Sequence, residues 1–197
     1  MKKLMMIAVM AIVALTANAQ NTLRENGSFT LQPKLGLGLG IYSGDTQAGV
    51  SNKMRAGFLI GAEAEYYVNE WLGVAAGLNY AMQGYKAEAG GQKATTKLDY
   101  LNIPITADFY VIPGLALKAG VQFGFLLSAK AESENIKSYC NKMNFSIPVG
   151  ASYEYKNFVF DARYNIGLSN VSKKQNGVQP KDHSNLLQFT VGYKFQL

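Results

Sequence analysis

From residue 29 onward, the chain repeats one pattern, in which apolar side chains alternate with small, polar or charged ones. The alternation is typical of strands with one apolar face, because successive side chains of a strand point to opposite sides. Eight such segments span residues 29–42, 54–67, 71–83, 98–111, 115–128, 143–155, 158–168 and 187–197. The pattern therefore predicts an all-β fold with eight strands.

The N-terminus has the parts of an export signal. Two lysines precede an apolar run from Leu4 to Leu15, and a small-x-small cleavage pattern ends at Ala19. The run is shorter than the roughly 20 residues of a transmembrane helix, so we predict cleavage between Ala19 and Gln20. The predicted division is a signal peptide (1–19), a short periplasmic segment (20–28) and a barrel domain (29–197).

Composition excludes several other classes. The formal net charge is only +6 and the sequence shows no basic run with interleaved aromatic residues, so no nucleic-acid partner is predicted. The single cysteine, Cys140, cannot form an intramolecular disulfide. Cys140 and the single histidine, His183, lie in different connections, so neither a metal site nor a cofactor is predicted. After the signal, no apolar segment is long enough for a transmembrane helix, and a membrane would have to be crossed by strands.

The connections between the segments alternate in length. Short turns lie at residues 68–70, 112–114 and 156–157, and longer polar loops lie at 43–53, 84–97, 129–142 and 169–185. Short periplasmic turns and long external loops are the arrangement of outer-membrane barrels. The sequence thus predicts an eight-stranded antiparallel up-and-down transmembrane β-barrel in the outer membrane of a Gram-negative bacterium. An even strand number places both termini in the periplasm.

Two prolines interrupt the predicted strands. Pro104 lies in the fourth segment and Pro148 in the sixth. Because proline has no N–H group to donate to a neighbouring strand, we expect a bulge or a locally unpaired point at each position.

The charged side chains show which face is the interior. The polar parity carries glycines such as Gly36 and Gly38, and an eight-stranded barrel has room only for a packed interior. It also carries ten charged residues, which we predict to form a lumen ion network: Lys34, Arg55, Glu63, Glu65, Asp108, Lys118, Glu154, Asp161, Arg163 and Lys194. Asp108 and Lys118 are equidistant from Pro113, so we expect them to pair across that turn. A structural plug is the preferred interpretation, and a gate or proton path is the alternative.

Aromatic residues mark the short-turn ends of the segments. They are Tyr66, Trp71, Phe109, Tyr153, Phe158 and Tyr193. Such residues are typical of the girdle at a membrane interface. The last segment ends in Tyr193, Phe195 and Leu197, which we predict to form the terminal signal recognised by the barrel-assembly machinery.

Four stretches carry a resemblance to a known family. They are residues 100–105 (YLNIPI), 120–127 (GVQFGFLL), 161–170 (DARYNIGLSN) and 192–195 (GYKF). The sequence resembles the porin-family outer-membrane β-barrel domain, whose members include PorT-like proteins. The resemblance implies a barrel without a catalytic site, and it suggests an accessory role in a secretion or gliding apparatus.

Several functions stay open from the sequence. The preferred one is a non-enzymatic, monomeric barrel with a filled lumen, whose long loops have structural, adhesive or partner-binding roles. The alternatives are the PorT-like accessory role, a narrow pore, and a soluble periplasmic ligand-binding barrel. Expected partners are outer-membrane lipid, an envelope protein and lipopolysaccharide. The last loop is basic through Lys173, Lys174 and Lys181, which indicates contact with lipopolysaccharide or simply solubility. A hydrolase with His183 as base and Ser184 as nucleophile is disfavoured, because adjacent strand residues point to opposite faces.

Overall fold

A computed structural model describes residues 26–44, 50–89, 92–132, 134–174 and 182–197. The strands are β1 (Phe29–Gly44), β2 (Val50–Asn69), β3 (Leu72–Ala89), β4 (Gln92–Ile112), β5 (Leu115–Ala131), β6 (Met143–Tyr155), β7 (Phe158–Gly167) and β8 (Asp182–Tyr193). Each strand pairs antiparallel with the next, and β1 also pairs with β8. The predicted closed, eight-stranded up-and-down barrel is confirmed. The signal peptide with its Ala19–Gln20 cleavage site lies outside the described residues.

The described residues of two predicted loops belong to strands. β2 begins at Val50, and β3 and β4 stay paired up to Ala89 and Gln92, whereas the sequence pattern placed loops at 43–53 and 84–97. The prediction was wrong because these strand ends carry few of the large apolar side chains that mark the eight segments. Alternation reveals a strand only where its two faces meet different surroundings. The barrel wall therefore extends as a sheet beyond the apolar band.

The prolines leave one-sided gaps in the strand pairing. Pro104 is in register with Gln122 of β5, but the β3–β4 pairing lapses between Ala76–Ile105 and Asn79–Asn102 without a change of register. Pro148 likewise pairs with Asn165 of β7, while the β5–β6 pairing lapses beside it. The expected unpaired points are confirmed and the alternative, a bulge, is wrong at both. A missing N–H group removes bonds on one side only.

A similar gap lies between the first and last strands. β1 pairs with β8 up to Lys34–Gly192, and its pairing resumes at Leu31–Phe195 with the short strand Phe195–Gln196. Pro33 lies in the gap. The backbone N–H of Lys194 instead donates to the carbonyl of Asn157, at 2.7 Å. The last segment is thus divided at Lys194 and is not the single unbroken strand that its alternation predicted.

The apolar parity faces outward. Leu35 is 56% exposed and Phe160 is 50% exposed, whereas the charged side chains of the opposite parity are largely buried. This orientation contradicts the soluble ligand-binding barrel, which required the apolar parity to face inward. Of the terminal residues, Leu197 is exposed, but Phe195 is only 4% exposed, beside the ring of Tyr193.

Aromatic residues surround the short-turn end on the outside. Rings from neighbouring strands contact one another, with centroid distances of 4.8 Å for Phe29–Tyr66, 6.3 Å for Trp71–Phe109 and 5.3 Å for Phe158–Tyr193. Both described ends of the chain lie at this end too, where the N–H of Leu197 donates to the carbonyl of Phe29. Within the described ranges, no helix has the length and apolarity to cross a bilayer.

Candidate functional site

The barrel interior contains the largest group of interacting polar side chains. Nine of the ten residues of the predicted network lie in the half of the lumen near the short turns, and Arg55 lies in the loop half. Six of the nine form what we call the charged cluster: Lys34, Glu63, Asp108, Lys118, Asp161 and Arg163. The charged cluster contains three cations and three anions, so its formal charge is zero.

Glu63 is the centre of the charged cluster. Its carboxylate accepts two hydrogen bonds from Arg163, at 2.7 Å from Nη1 and 2.6 Å from Nη2, and it also pairs with Lys34. Bidentate arginine–carboxylate pairs combine charge with fixed geometry. Arg163 is 1% exposed and Glu63 is 3% exposed, so each charge depends on the other for compensation.

Asp108 and Lys118 face each other across the β4–β5 turn. They are register partners, and Nζ of Lys118 lies 2.8 Å from Oδ2 of Asp108. The same ammonium group lies 3.4 Å from Asp161, which in turn accepts hydrogen bonds from Arg163. Thr106 donates a hydrogen bond to the second oxygen of Asp108 at 2.8 Å. The Asp108–Lys118 pair is thereby joined to the Glu63–Arg163 pair, and the resulting cluster connects five strands.

A second polar group lies closer to the turn rim. This rim group consists of Glu65, Tyr67, Tyr110, Glu154 and Lys194. Nζ of Lys194 lies 2.9 Å from Glu65 and 3.1 Å from Glu154, and the hydroxyl of Tyr110 donates to Glu65 at 2.6 Å. Lys194 follows β8, whereas its partners come from β2, β4 and β6. The rim group therefore spans the lumen.

Arg55 is separate from both groups. Its guanidinium donates to the backbone carbonyl of Gln83, where the β2–β3 pairing changes register between Met54 and Leu59. The structure thus brings nine of the predicted residues into two neighbouring groups and places the tenth beside an irregularity of the wall.

Neutral side chains fill the middle of the lumen. In this amide layer, Gln122 donates to Ser146 at 3.2 Å, and Asn165 donates to Gln188 at 3.2 Å. All four residues are 5% exposed or less. The interior therefore changes from charged to neutral along the barrel axis.

An apolar cluster fills the lumen at the loop end, and sequence reasoning missed it. Its members are Leu98, Tyr100, Leu126, Ala129, Cys140 and Val171. Leu98 and Leu126 lie on the same parity as the charged residues, at the loop ends of β4 and β5. That position was the available signal, because large apolar residues on the inner parity have no lipid to face.

Two loops cover the apolar cluster. Residues 136–141 and 169–173 form a loop cap, in which the backbone N–H of Asn141 donates to Val171 and that of Lys173 donates to Tyr139. The side-chain amide of Asn141 also donates to the carbonyls of Asn170 and Ser172, at 2.8 and 3.1 Å. Cys140 is 5% exposed beneath this cap, and burial raises the pKa of its thiol.

The backbone narrows the lumen at the same level. Gly84 has φ +127°, and a Cβ on Gly40 would lie 2.1 Å from the carbonyl oxygen of Gly84. A side chain at residue 40 would therefore force β1 and β3 apart. This close approach and the apolar cluster together occupy the loop end.

The candidate catalytic pair of the sequence does not form a working dyad in the structure. His183 and Ser184 are successive residues of β8, and Nδ1 of His183 lies 3.3 Å from the carbonyl oxygen of Ser169. The side chain of Ser184 is buried. Among the described residues, no group of three or more His, Cys, Asp or Glu side chains is arranged to hold a metal ion.

A closed barrel with an apolar outer face, an aromatic girdle and a polar interior is the architecture of outer-membrane proteins. The comparison with family models agrees, because the model described as outer membrane protein beta-barrel domain matches residues 18–173. The chain belongs to this family and is a protein of the outer membrane. The comparison with curated proteins gives no match. The likeness to PorT-like members stays a prediction.

Solved structures show the same fold at low sequence identity. OprG from Pseudomonas aeruginosa is 9% identical, with a TM-score of 0.55 over 90% of this chain and 99% of that one. Neisserial surface protein A is 17% identical, with a TM-score of 0.51 over 86% and 97%. Ail of Yersinia pestis, in complex with the heparin analogue sucrose octasulfate, is 17% identical, with a TM-score of 0.50 over 87% and 100%. These similarities support the fold alone.

Proposed function

We propose that this protein is a closed, non-enzymatic outer-membrane barrel, whose interior is a structural plug and whose loop end is a binding surface. The observation that carries the proposal is the filling of the lumen at successive levels. The charged cluster, the amide layer and the apolar cluster follow one another along the axis. A solute would have to break buried ion pairs and displace packed apolar side chains.

Conductance measurements test the plug. Purified full-length protein in planar lipid bilayers should show no stable channel events, whereas a large-pore porin inserted in the same way provides the positive control. The loop end is closed independently of the charged cluster. The double variant Glu63→Ala/Arg163→Ala should therefore also be silent, provided that it folds. Stable open channels of the unmodified protein would contradict the plug and favour the narrow-pore alternative.

The loop end is proposed as the binding surface because its loops are connected to one another. The loop cap is held by hydrogen bonds between its two segments, and an exposed lysine, Lys142 or Lys174, directly follows each segment. The expected partners are lipopolysaccharide and an envelope protein. Lys173, by contrast, is engaged within the cap, since its Nζ donates to the carbonyl of Ser138 at 2.6 Å. Lys181 lies outside the described residues.

This proposal requires the loop end to face the exterior and both termini to face the periplasm. A membrane-impermeant amine reagent applied to intact cells should modify Lys142 and Lys174. Lys156 provides a matched control, because it is also exposed in the isolated barrel but lies in the β6–β7 turn. Modification of Lys156 and protection of Lys142 would reverse the orientation.

The terminal residues are proposed as the assembly signal. Tyr193, Phe195 and Leu197 complete the aromatic end of the barrel, and Phe195 pairs with Leu31 of β1. Removing residues 195–197 should abolish insertion by the barrel-assembly machinery, as judged by loss of the heat-modifiable band from outer-membrane fractions. Normal insertion of the truncated chain would contradict this role.

The PorT-like likeness gives a second candidate function, an accessory role in secretion or gliding. The supporting observation is that residues 100–105 and 161–170, which carry the likeness, lie in the barrel wall and at the loop end of β7. A deletion strain should then lose secretion of apparatus-dependent proteins, and secretion that persists unchanged would reject this candidate.

A further inference from the structure

The outer face of the sheet extension carries an unusual arrangement of lysines. Lys53 of β2 is the register partner of Lys86 of β3, and Lys97 of β4 is the register partner of Lys130 of β5. All four side chains are exposed. Directly opposed like charges destabilise a pair of antiparallel strands, so two such pairs need a compensating anion.

The four lysines share one face of the sheet. Thr95 is the register partner of Lys86 and lies two positions from Lys97, so Lys86 and Lys97 point to the same side. That side is the outer one, because Leu98, next to Lys97, is buried in the lumen. We call this surface, formed by Lys53, Lys86, Lys97 and Lys130, the lysine face.

The nearby carboxylates compensate only part of this charge. Lys53 pairs with Glu88 at 2.5 Å. Asp99 lies between the lysine face and the apolar band. Glu132, two residues after Lys130, accepts a hydrogen bond from the backbone N–H of Thr95 at 2.6 Å. The lysine face thus has four cations against three nearby carboxylates, and Lys97 and Lys130 form no ion pair among the described residues.

The position of the lysine face identifies the anion. On β4 the outer positions run from Ile105 and Leu101 through Asp99 to Lys97, and on β5 the apolar band ends at Leu127, close to Lys130. At about 3.4 Å per residue, Lys97 lies about 14 Å beyond Leu101 along the strand. The lysines therefore lie just outside the apolar band at the loop end, at the depth of lipid head groups.

We propose that the lysine face binds the phosphate groups of outer-leaflet lipopolysaccharide. Lysine side chains from opposed register positions can contact one phosphate together, which converts their mutual repulsion into binding energy. This inference rests on the proposed orientation of the loop end, but not on the plug. It differs from the contact predicted for the last loop, because it places the lipid on the barrel wall.

Lipopolysaccharide binding by the purified full-length protein in detergent tests the proposal, with purified lipopolysaccharide as the probe and native gel mobility as the readout. The variant Lys97→Gln/Lys130→Gln should bind about 30-fold more weakly, at about tenfold per 1.4 kcal/mol and about 1 kcal/mol per lysine. The variant Lys97→Arg/Lys130→Arg should bind like the unmodified protein. Higher salt should weaken the unmodified protein more than the glutamine variant.

Controls separate this site from other sources of binding. The control variant Lys156→Gln removes an exposed lysine of the β6–β7 turn, at the opposite end of the barrel, and should keep the affinity. Heat-modifiability shows that each variant is folded. Unchanged affinity of the Lys97→Gln/Lys130→Gln variant, or an equal loss in the Lys156→Gln variant, would overturn the proposal. Equal affinity for phosphatidylglycerol vesicles, or for dephosphorylated lipopolysaccharide, would overturn the assignment to lipopolysaccharide phosphate. Neither result depends on whether the barrel conducts.

Discussion

The two halves of the lumen are filled by opposite chemistry. Near the short turns, the charged cluster joins six ionised side chains, each 5% exposed or less. At the loop end, the apolar cluster packs around Leu98 and Cys140 beneath the loop cap. The first half depends on every charge having its partner, whereas the second depends on packed volume. Removing one group should therefore cost free energy for different reasons in the two halves.

The largest effect is expected at Glu63. The substitution Glu63→Gln leaves three cations facing two anions, and breaking a buried ion pair costs about 3 to 5 kcal/mol. Urea unfolding in detergent should show this loss in the free energy of unfolding. In the amide layer, Gln122→Met removes one neutral hydrogen bond and should cost only about 1 kcal/mol. Equal losses for the two variants would show that the charged cluster is no more demanding than the amide layer.

In the apolar half, Leu98→Ala is the corresponding test. Leu98 has no exposed surface, so truncation leaves a cavity and should cost about 2 to 4 kcal/mol. Leu37 is the matched control, because it is 59% exposed on the outer face. Leu37→Ala should have a smaller effect on the same unfolding curve. A larger loss for the outer residue would contradict the assignment of Leu98 to a packed core.

The charged half should also tolerate a balanced deletion better than an unbalanced one. The double variant Glu63→Met/Arg163→Met leaves Lys34 and Lys118 with Asp108 and Asp161, so the remaining charges still cancel. Its unfolding free energy should exceed that of Glu63→Met alone by about 2 kcal/mol. A double variant that is less stable than either single one would mean that geometry, and not charge balance, dominates the cluster.

The smallest effect concerns the loop cap. Asn141→Ala removes two hydrogen bonds to backbone carbonyls, worth about 1 kcal/mol together or somewhat more. Maleimide labelling of Cys140 should become about tenfold faster, since about 1.4 kcal/mol corresponds to tenfold, while global stability changes little. Because burial raises the pKa of Cys140, opening the cap lowers it again and should move labelling to lower pH.

The control for this measurement is Ser138→Ala. Ser138 contributes only its backbone carbonyl to the cap, as acceptor for Lys173, and the substitution keeps that carbonyl. Labelling of Cys140 should therefore stay as slow as in the unmodified protein. If Asn141→Ala labels no faster than this control, the two hydrogen bonds of Asn141 do not hold the cap closed.

The contrast between the halves also explains what the sequence could predict. Charges on one parity predict an interior, because Arg163 or Asp108 cannot face lipid. Leu98 and Leu126 lie on the same inner parity, but an apolar residue near a strand end is less distinctive than a charge, and the apolar cluster was missed. The strand extensions at Val50 and Ala89 were missed for a related reason, because they carry few large apolar side chains to mark an outer face. The contacts of Asn141 and Lys173 join loops distant in sequence, and no local pattern encodes them.

Because of the position of Lys194, closure of the barrel forms an ion pair that an open sheet lacks. Lys194 belongs to the last part of the chain, yet its ammonium group supplies the cation for Glu65 on β2 and Glu154 on β6. In an open sheet that follows chain order, β8 and β2 lie near opposite edges, and Glu65 lacks this cation. The carboxylate acquires it only when the two edges meet. The ion pair of Lys194 with Glu65 thus stabilises the closed barrel relative to partly assembled forms.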